Sequence, residues 1–237
     1  RTLLQPAYPV TFGFKAANWL MGVLDARRRL RAVRRECLAV QLGGPVGSLD
    51  GFGGKGPELV ALVARELALC APELPWHSNR NRVGELASAL SLAGAAGAKI
   101  ALDLLLLSQA EVGEVAEKEP GGSSSMSHKH NSARSILARA SFNILLGQTI
   151  VLLNAGPGEH ERAAGALQAE WPALAAALRL SAGAVARSRE ALSGLQVDVT
   201  RMAANLEFAG IAERSTNPAA AIVDRALQIF NQEEKNN

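Results

Sequence analysis

Ten consecutive residues carry the densest chemistry in this chain: Gly122-Ser123-Ser124-Ser125-Met126-Ser127-His128-Lys129-His130-Asn131. Hydroxyls crowd the first half, Lys129 sits near the end, and a helical pattern resumes at Asn131. Backbone N–H groups at a helix start, together with an ammonium, make a place for a carboxylate. By composition alone the string also reads as a flexible linker with a charged exit. Its position argues for a site, because a short polar turn would suffice between two long apolar helices.

Two further strings hold candidate groups. Arg1 to Gly13 contains Thr2, Gln5 and Tyr8 among prolines. Read by itself it is a proline-broken lead-in to a helix capped by Thr11. Pro75-Trp76-His77-Ser78-Asn79-Arg80-Asn81-Arg82 places a histidine before a helix capped by Ser78, where a lone histidine is more often structural. The acidic residues of Gln109 to Val115 read as an exposed helix end. His160 is expected to pack or bond within the bundle; no second ligand follows at helical spacing, so no metal site is expected.

These segments need elements to position them, and the composition points to helices. Ala and Leu dominate, 48% of residues are hydrophobic and only 4% are aromatic, which favours an all-α chain. Helices are expected over Thr11 to Val40, Pro57 to Cys70, Asn79 to Glu117, Asn131 to Asn154, Pro157 to Leu192 with Pro172 inside, Gln196 to Arg214 and Pro218 to Gln232. Gly43 to Gly56 is expected as a loop and Glu233 to Asn237 as a disordered tail. From Leu86 to Leu107 the third helix is apolar around most of its circumference. Such a helix must be surrounded by others, so a bundle core shared between subunits is expected.

The same features exclude several classes. Net charge is only +3. The basic run from Arg27 to Arg35 has no interleaved aromatics and reads as a solvated helix face, not a nucleic-acid surface. The run Ile100 to Leu107 carries Asp103 and is too short to span a bilayer, and no signal-peptide pattern opens the chain. Cys37 and Cys70 lack ligand spacing and are expected unpaired, in a reducing cytoplasm.

The serine string resembles the signature Gly-Ser-Ser-x-Met-Pro-x-Lys-x-Asn of the fumarase/aspartase superfamily. Gly122, Ser123, Ser124, Met126, Lys129 and Asn131 match, and Ser127 and Ser132 replace its two prolines. Arg1 to Gly13 resembles a second superfamily string, with Leu3 in place of its histidine. Argininosuccinate lyase, fumarase and adenylosuccinate lyase keep that histidine; the cycloisomerases lose it. Pro75 to Glu85 resembles a cycloisomerase string, with Asn81 replacing an aspartate. Arg134-Ser135-Ile136 stands where adenylosuccinate lyases and fumarases carry a glutamate.

The resemblance implies a subunit of three helical domains whose central helices form a tetrameric core. Residues 1–194 would be the central domain and 195–237 a partial C-terminal one, with the N-terminal domain expected before Arg1. It implies Ser123 as general acid/base, Lys129 as its catalytic partner, and Thr2, Gln5, His77, Arg80, Ser124, Met126 and Asn131 as substrate contacts. The implied substrate is the tricarboxylate 3-carboxy-cis,cis-muconate, lactonised to 4-carboxymuconolactone in protocatechuate breakdown by the β-ketoadipate pathway. No metal or organic cofactor is implied. Another lyase substrate, such as adenylosuccinate, and a non-catalytic oligomeric scaffold are the alternatives.

Overall fold

The computed structural model describes residues 1–211 and 217–235. Among them are helices α1 (Phe12–Glu36), α2 (Gly56–Leu67), α3 (Asn81–Leu107), α4 (Ala133–Asn154), α5 (Ala166–Leu192), α6 (Val199–Phe208) and α7 (Asn217–Lys235). Two short strands, β1 (Val115–Ala116) and β2 (Gln196–Val197), pair antiparallel. The chain is all-α apart from this pair.

Helix ends follow local chemistry. Thr11 caps α1 as expected, its Oγ1 accepting from the Phe14 amide at 3.1 Å. The helix stops at Glu36, short of Val40, because Leu38 and Val40 exchange backbone hydrogen bonds with Cys70. Pro57 occupies the first turn of α2, where its missing N–H costs nothing. Helix α3 ends at Leu107, ten residues before the expected Glu117. The chain turns there, with Gly113 at φ +62°, and enters β1. Helix α5 begins at Ala166, since residues 157–165 form a turn with His160 at φ +47° and Gly165 at φ +100°. His160 is exposed there and does not pack in a bundle. Ser78 is not a cap, because α3 starts at Asn81. Helix α6 is shorter than expected, and α7 continues through Lys235 where a disordered tail was expected from Glu233. The expected helical residues 212–214 and the last two residues lie outside the described ones.

The chain divides into two compact units. The first takes residues 1–25, 96–140 and the described part of 184–237. Residues from 195 onward, expected as a partial domain of their own, group here. Its core is Trp19, Ile100, Leu104, Leu107, Val115 and Ala191, with Phe12 meeting Trp19 edge-on at 5.7 Å. Asp103, the charge within the apolar run, is buried and accepts from Trp19 Nε1 at 2.7 Å and from Lys99 Nζ at 2.6 Å. Ser188 of α5 donates to the Gly97 carbonyl of α3 at 2.8 Å.

The second unit takes residues 26–95 and 141–183. Its core is Val83, Ala87, Leu90, Leu145, Leu152, Ala173 and Ala177. Ser181 of α5 donates to the Leu90 carbonyl of α3 at 2.8 Å. Helices α3 and α5 thus approach closely through alanine and glycine, and serines of α5 bind carbonyls of α3.

Helices α3 and α4 are both long and apolar enough to cross a membrane by length and composition. Burial separates the two: 56% of the apolar window of α3 is buried, against 17% for α4. Ile144, Leu146, Ile150 and Leu153 of α4 are exposed.

The close approach in the first unit is testable. A Cβ on Gly97 would lie 3.0 Å from the Ala184 carbonyl oxygen and 3.2 Å from Ser188 Oγ. Gly97→Ala is expected to destabilise by about 1–3 kcal/mol through overpacking, seen as a lower urea midpoint. An unchanged midpoint would mean that α3 and α5 have room to spare there.

Candidate active site

The serine loop is closed at its base. Gly121 and Asn131 exchange backbone hydrogen bonds in both directions at 2.8 Å. Asn131 Nδ2 donates back to the Gly122 carbonyl at 3.4 Å, and the Lys129 amide to the Met126 carbonyl at 3.1 Å. Inside this frame Ser123 Oγ accepts from the amides of Met126 and Ser125, at 3.2 and 3.4 Å. Two N–H dipoles therefore point at the one oxygen that an acid/base serine must leave negative, and they stabilise that charge. Ser124, Met126 and Lys129 are exposed. Lys129 makes no side-chain hydrogen bond or ion pair among the described residues.

The helix start beyond the loop is not an open anion site. Glu117, buried just before the loop, places its carboxylate over the first turn of α4. It accepts from the Arg134 amide at 3.2 Å, the Ser135 amide at 3.0 Å and Ser135 Oγ at 2.7 Å. The amides expected to receive a substrate carboxylate are thus answered by the chain itself. Ser132, where the signature has proline, is buried and shares a 2.9 Å hydrogen bond with Ser108 Oγ.

Thr2 and Gln5 belong to the same unit as this loop. Their backbones exchange hydrogen bonds at 2.9 Å around a tight turn. Leu3 and Leu4 take positive φ values, +49° and +66°, a conformation that leucine adopts at a cost. Leu3 is 96% exposed. No hydrogen bond joins Thr2 or Gln5 to the serine loop among the described residues. The turn is held instead by its neighbour Arg1, whose guanidinium grips Glu114 at 2.7 and 3.2 Å. Asn205 Nδ2 reaches the same carboxylate at 2.8 Å. Glu114 is buried, not the exposed helix end the acidic string implied. Burial resists its ionisation, but the hydrogen bonds from Arg1 and Asn205 outweigh that and hold its carboxyl below the usual range.

His77 and Arg80 belong to the second unit. The His77 ring packs on the glycine loop, where a Cβ at Gly43 would meet it at 2.5 Å. Its Nδ1 is buried without a hydrogen-bond partner. Burial, aided by the charges of Arg162 and Arg80, lowers its pKa and keeps the imidazole neutral at neutral pH. Arg80 is only 5% exposed. Its Nε donates to Glu170 at 2.8 Å, a second nitrogen bonds the other Glu170 oxygen, and Nη1 reaches Gln41 at 2.8 Å. The guanidinium also lies 4.4 Å from the Trp76 ring centre. This geometry gives Arg80 a structural task in place of the expected substrate contact.

Sequence reading missed Glu117, Glu114 and Glu170 as determinants. The partners of each lie 17 or more positions away.

The family described as Lyase matches residues 1–142. Over 212 residues the chain is 42% identical to the 3-carboxy-cis,cis-muconate cycloisomerase of Bradyrhizobium diazoefficiens, covering 87% of this chain and 47% of that protein. It is 40% identical over 221 residues to the nitrosuccinate lyase of Streptomyces davaonensis, covering 89% and 46%. The crystal structure of 3-carboxy-cis,cis-muconate lactonizing enzyme from Pseudomonas putida superposes with a TM-score of 0.80 at 32% identity, covering 98% of this chain and 55% of that one. The chain spans about half the length of the curated relatives it matches.

The depressed Glu114 has a signed consequence. A carboxyl whose folded pKa lies below its unfolded value, about 4.3, stabilises the fold above that value. The contribution disappears as pH falls through the folded pKa. The stability gap between the parent chain and Glu114→Gln is therefore expected to be full near neutrality and to close under acid. Urea titrations from neutral pH to about pH 3 check this, and a gap independent of pH would refute the ionised pairing.

Proposed function

The chain belongs to the fumarate lyase superfamily, and from that membership we propose that it acts as a 3-carboxy-cis,cis-muconate cycloisomerase. One carboxylate oxygen of the substrate adds across the conjugated double bond. The C–O bond forms as the π bond breaks, and the neighbouring carbon takes a proton from Ser123 Oγ. The product is the lactone 4-carboxymuconolactone. The serine oxygen left behind is stabilised by the amides of Ser125 and Met126 and regains its proton from solvent.

The observation that carries this reading is the Ser123 hydroxyl with two backbone N–H groups aimed at it, inside a loop that matches the lyase signature. Lys129, exposed in the same loop, supplies positive charge toward the trianionic substrate. Thr2, Gln5, Asn131, Ser124 and Met126 are the remaining contacts in this proposal, with His77 supplied by another copy of the chain. A neutral His77 serves there as a hydrogen-bonding group and not as a cation. Arg80 is assigned a positioning role. The reaction calls for no metal or organic cofactor.

A second reading is elimination from a different substrate. The 40% identity to a nitrosuccinate lyase favours it, because family elimination is this same addition run backwards. The non-catalytic scaffold is the third.

Partner and location follow from the surface. The exposed apolar residues of α4 need cover, and we assign it to further copies of the chain, in a tetramer. Free cysteines and a small-molecule carboxylate substrate suit a cytoplasmic protein. Neither nucleic acid nor membrane enters the proposal.

Turnover of 3-carboxy-cis,cis-muconate, followed by loss of diene absorbance, is the expected outcome. Ser123→Ala is expected to lose at least about a hundredfold in kcat with an unchanged circular dichroism spectrum. Retained turnover would remove the serine from the mechanism, and turnover of nitrosuccinate alone would move the substrate. In detergent-free buffer the mass by light scattering is expected to be that of a tetramer, and Ile150→Glu is expected to lower it. A monomer would refute the shared core.

A further inference from the structure

Strand β1 is two residues long, yet a buried carboxylate stands at each end of it. Glu114 precedes the strand and Glu117 follows it. Glu114 receives the Arg1 guanidinium beside the Thr2–Gln5 turn, and Asn205 as well. Glu117 receives two amides and a hydroxyl from the first turn of α4, at the exit of the serine loop. The strand itself is held by β2, and the Asp198 amide donates to the Glu114 carbonyl at 3.0 Å.

We propose that Glu114 and Glu117 are positioning residues, which fasten the Thr2–Gln5 turn and the serine loop to one short strand. The inference rests on the reading of Ser123 as the proton donor. It extends that reading, because neither glutamate is asked to touch substrate.

The argument is one of unanswered groups. The first N–H groups of a helix have no partner inside it. Without the Glu117 carboxylate, the Arg134 and Ser135 amides and the Ser135 hydroxyl lose their acceptor in a buried place. Ser135 is fully buried, so water is a poor substitute. The first turn of α4 would then fray, and the loop enters α4 through it. The second tie at this exit is the Ser108–Ser132 hydroxyl pair. The Ser132 amide donates to nothing among the described residues, and Asn131 before it is extended in its bridge to Gly121. A proline at 132 would fix φ but would remove the hydroxyl of that pair, so the exit here is held by side-chain hydrogen bonds. Glu114 acts at the other end, on the turn that carries Thr2 and Gln5. The two glutamates should therefore leave different kinetic marks.

The test uses amide hydrogen exchange and steady-state kinetics on the whole chain. Glu117→Ala is expected to raise exchange of residues 122–133 about tenfold, as loss of a helix cap does. It should lower kcat about ten- to a hundredfold by displacing Ser123, with KM little changed. Glu114→Gln should instead raise KM and leave kcat and loop exchange near the parent values. If Glu117→Ala fails to fold, Glu117→Gln keeps one acceptor and should show the same pattern more weakly. Parent-like exchange in residues 122–133 and parent-like kcat in the Glu117 variant would overturn the proposal. So would a kcat loss that only tracks melting temperature across the Glu117 variants. Should the parent chain turn over no lyase substrate, the functional reading falls. The exchange measurement still decides whether Glu117 fixes the loop.

Discussion

A polar group carried into a bundle built of alanine and leucine must find its partner there, because water is not at hand. This constraint organises both units. Trp19 brings an N–H into the first core and meets Asp103. Arg80 brings a guanidinium into the second and meets Glu170, Gln41 and the face of Trp76. Ser181 and Ser188 place hydroxyls against carbonyls of α3, which lets the two helices approach through small residues. The interior polar groups are few, and each fixes one element against another.

The serine loop inherits its order from the same constraint. It is exposed and polar, so burial does little to hold it. What holds it are its two ends: the Gly121–Asn131 bridge, the Ser108–Ser132 hydroxyls and Glu117 on α4. Where the superfamily signature relies on proline to stiffen this stretch, this chain uses hydrogen bonds. Bonds of this kind tie the loop to a particular neighbour, whereas proline only narrows its own φ. The loop's own amides hold Ser123 Oγ, while the anchoring of the loop at its exit belongs to the unit around it.

The exposed side of α4 belongs to the same picture at a larger scale. An apolar helix with little burial is not a stable surface in water. The apolar window of α3 is 56% buried within the chain and that of α4 only 17%, which is the observation behind the proposed cover of α4 by copies of the chain. Under that proposal the candidate site would be a shared construction, with side chains converging from more than one subunit.

The sequence by itself determined the helical class, the punctuation at Gly43–Gly56 and around Gly122–Ser127, the Thr11 cap and the resemblance of three strings to one superfamily. These are local properties: propensity, period and residue identity at fixed spacing. It did not determine where α3 stops. The helix was expected to continue to Glu117, and the turn at Gly113 and pairing of β1 with β2 take up those residues instead. Nor did it reveal the tasks of Arg80, Glu114 and Glu117. Arg80 looked like a substrate contact because its string matched, yet Glu170, ninety positions away, takes it. The start of α4 looked like a place for a foreign carboxylate, yet Glu117 fills it. Charge pairing acts through space, and a string of residues records which charges exist but not which of them meet.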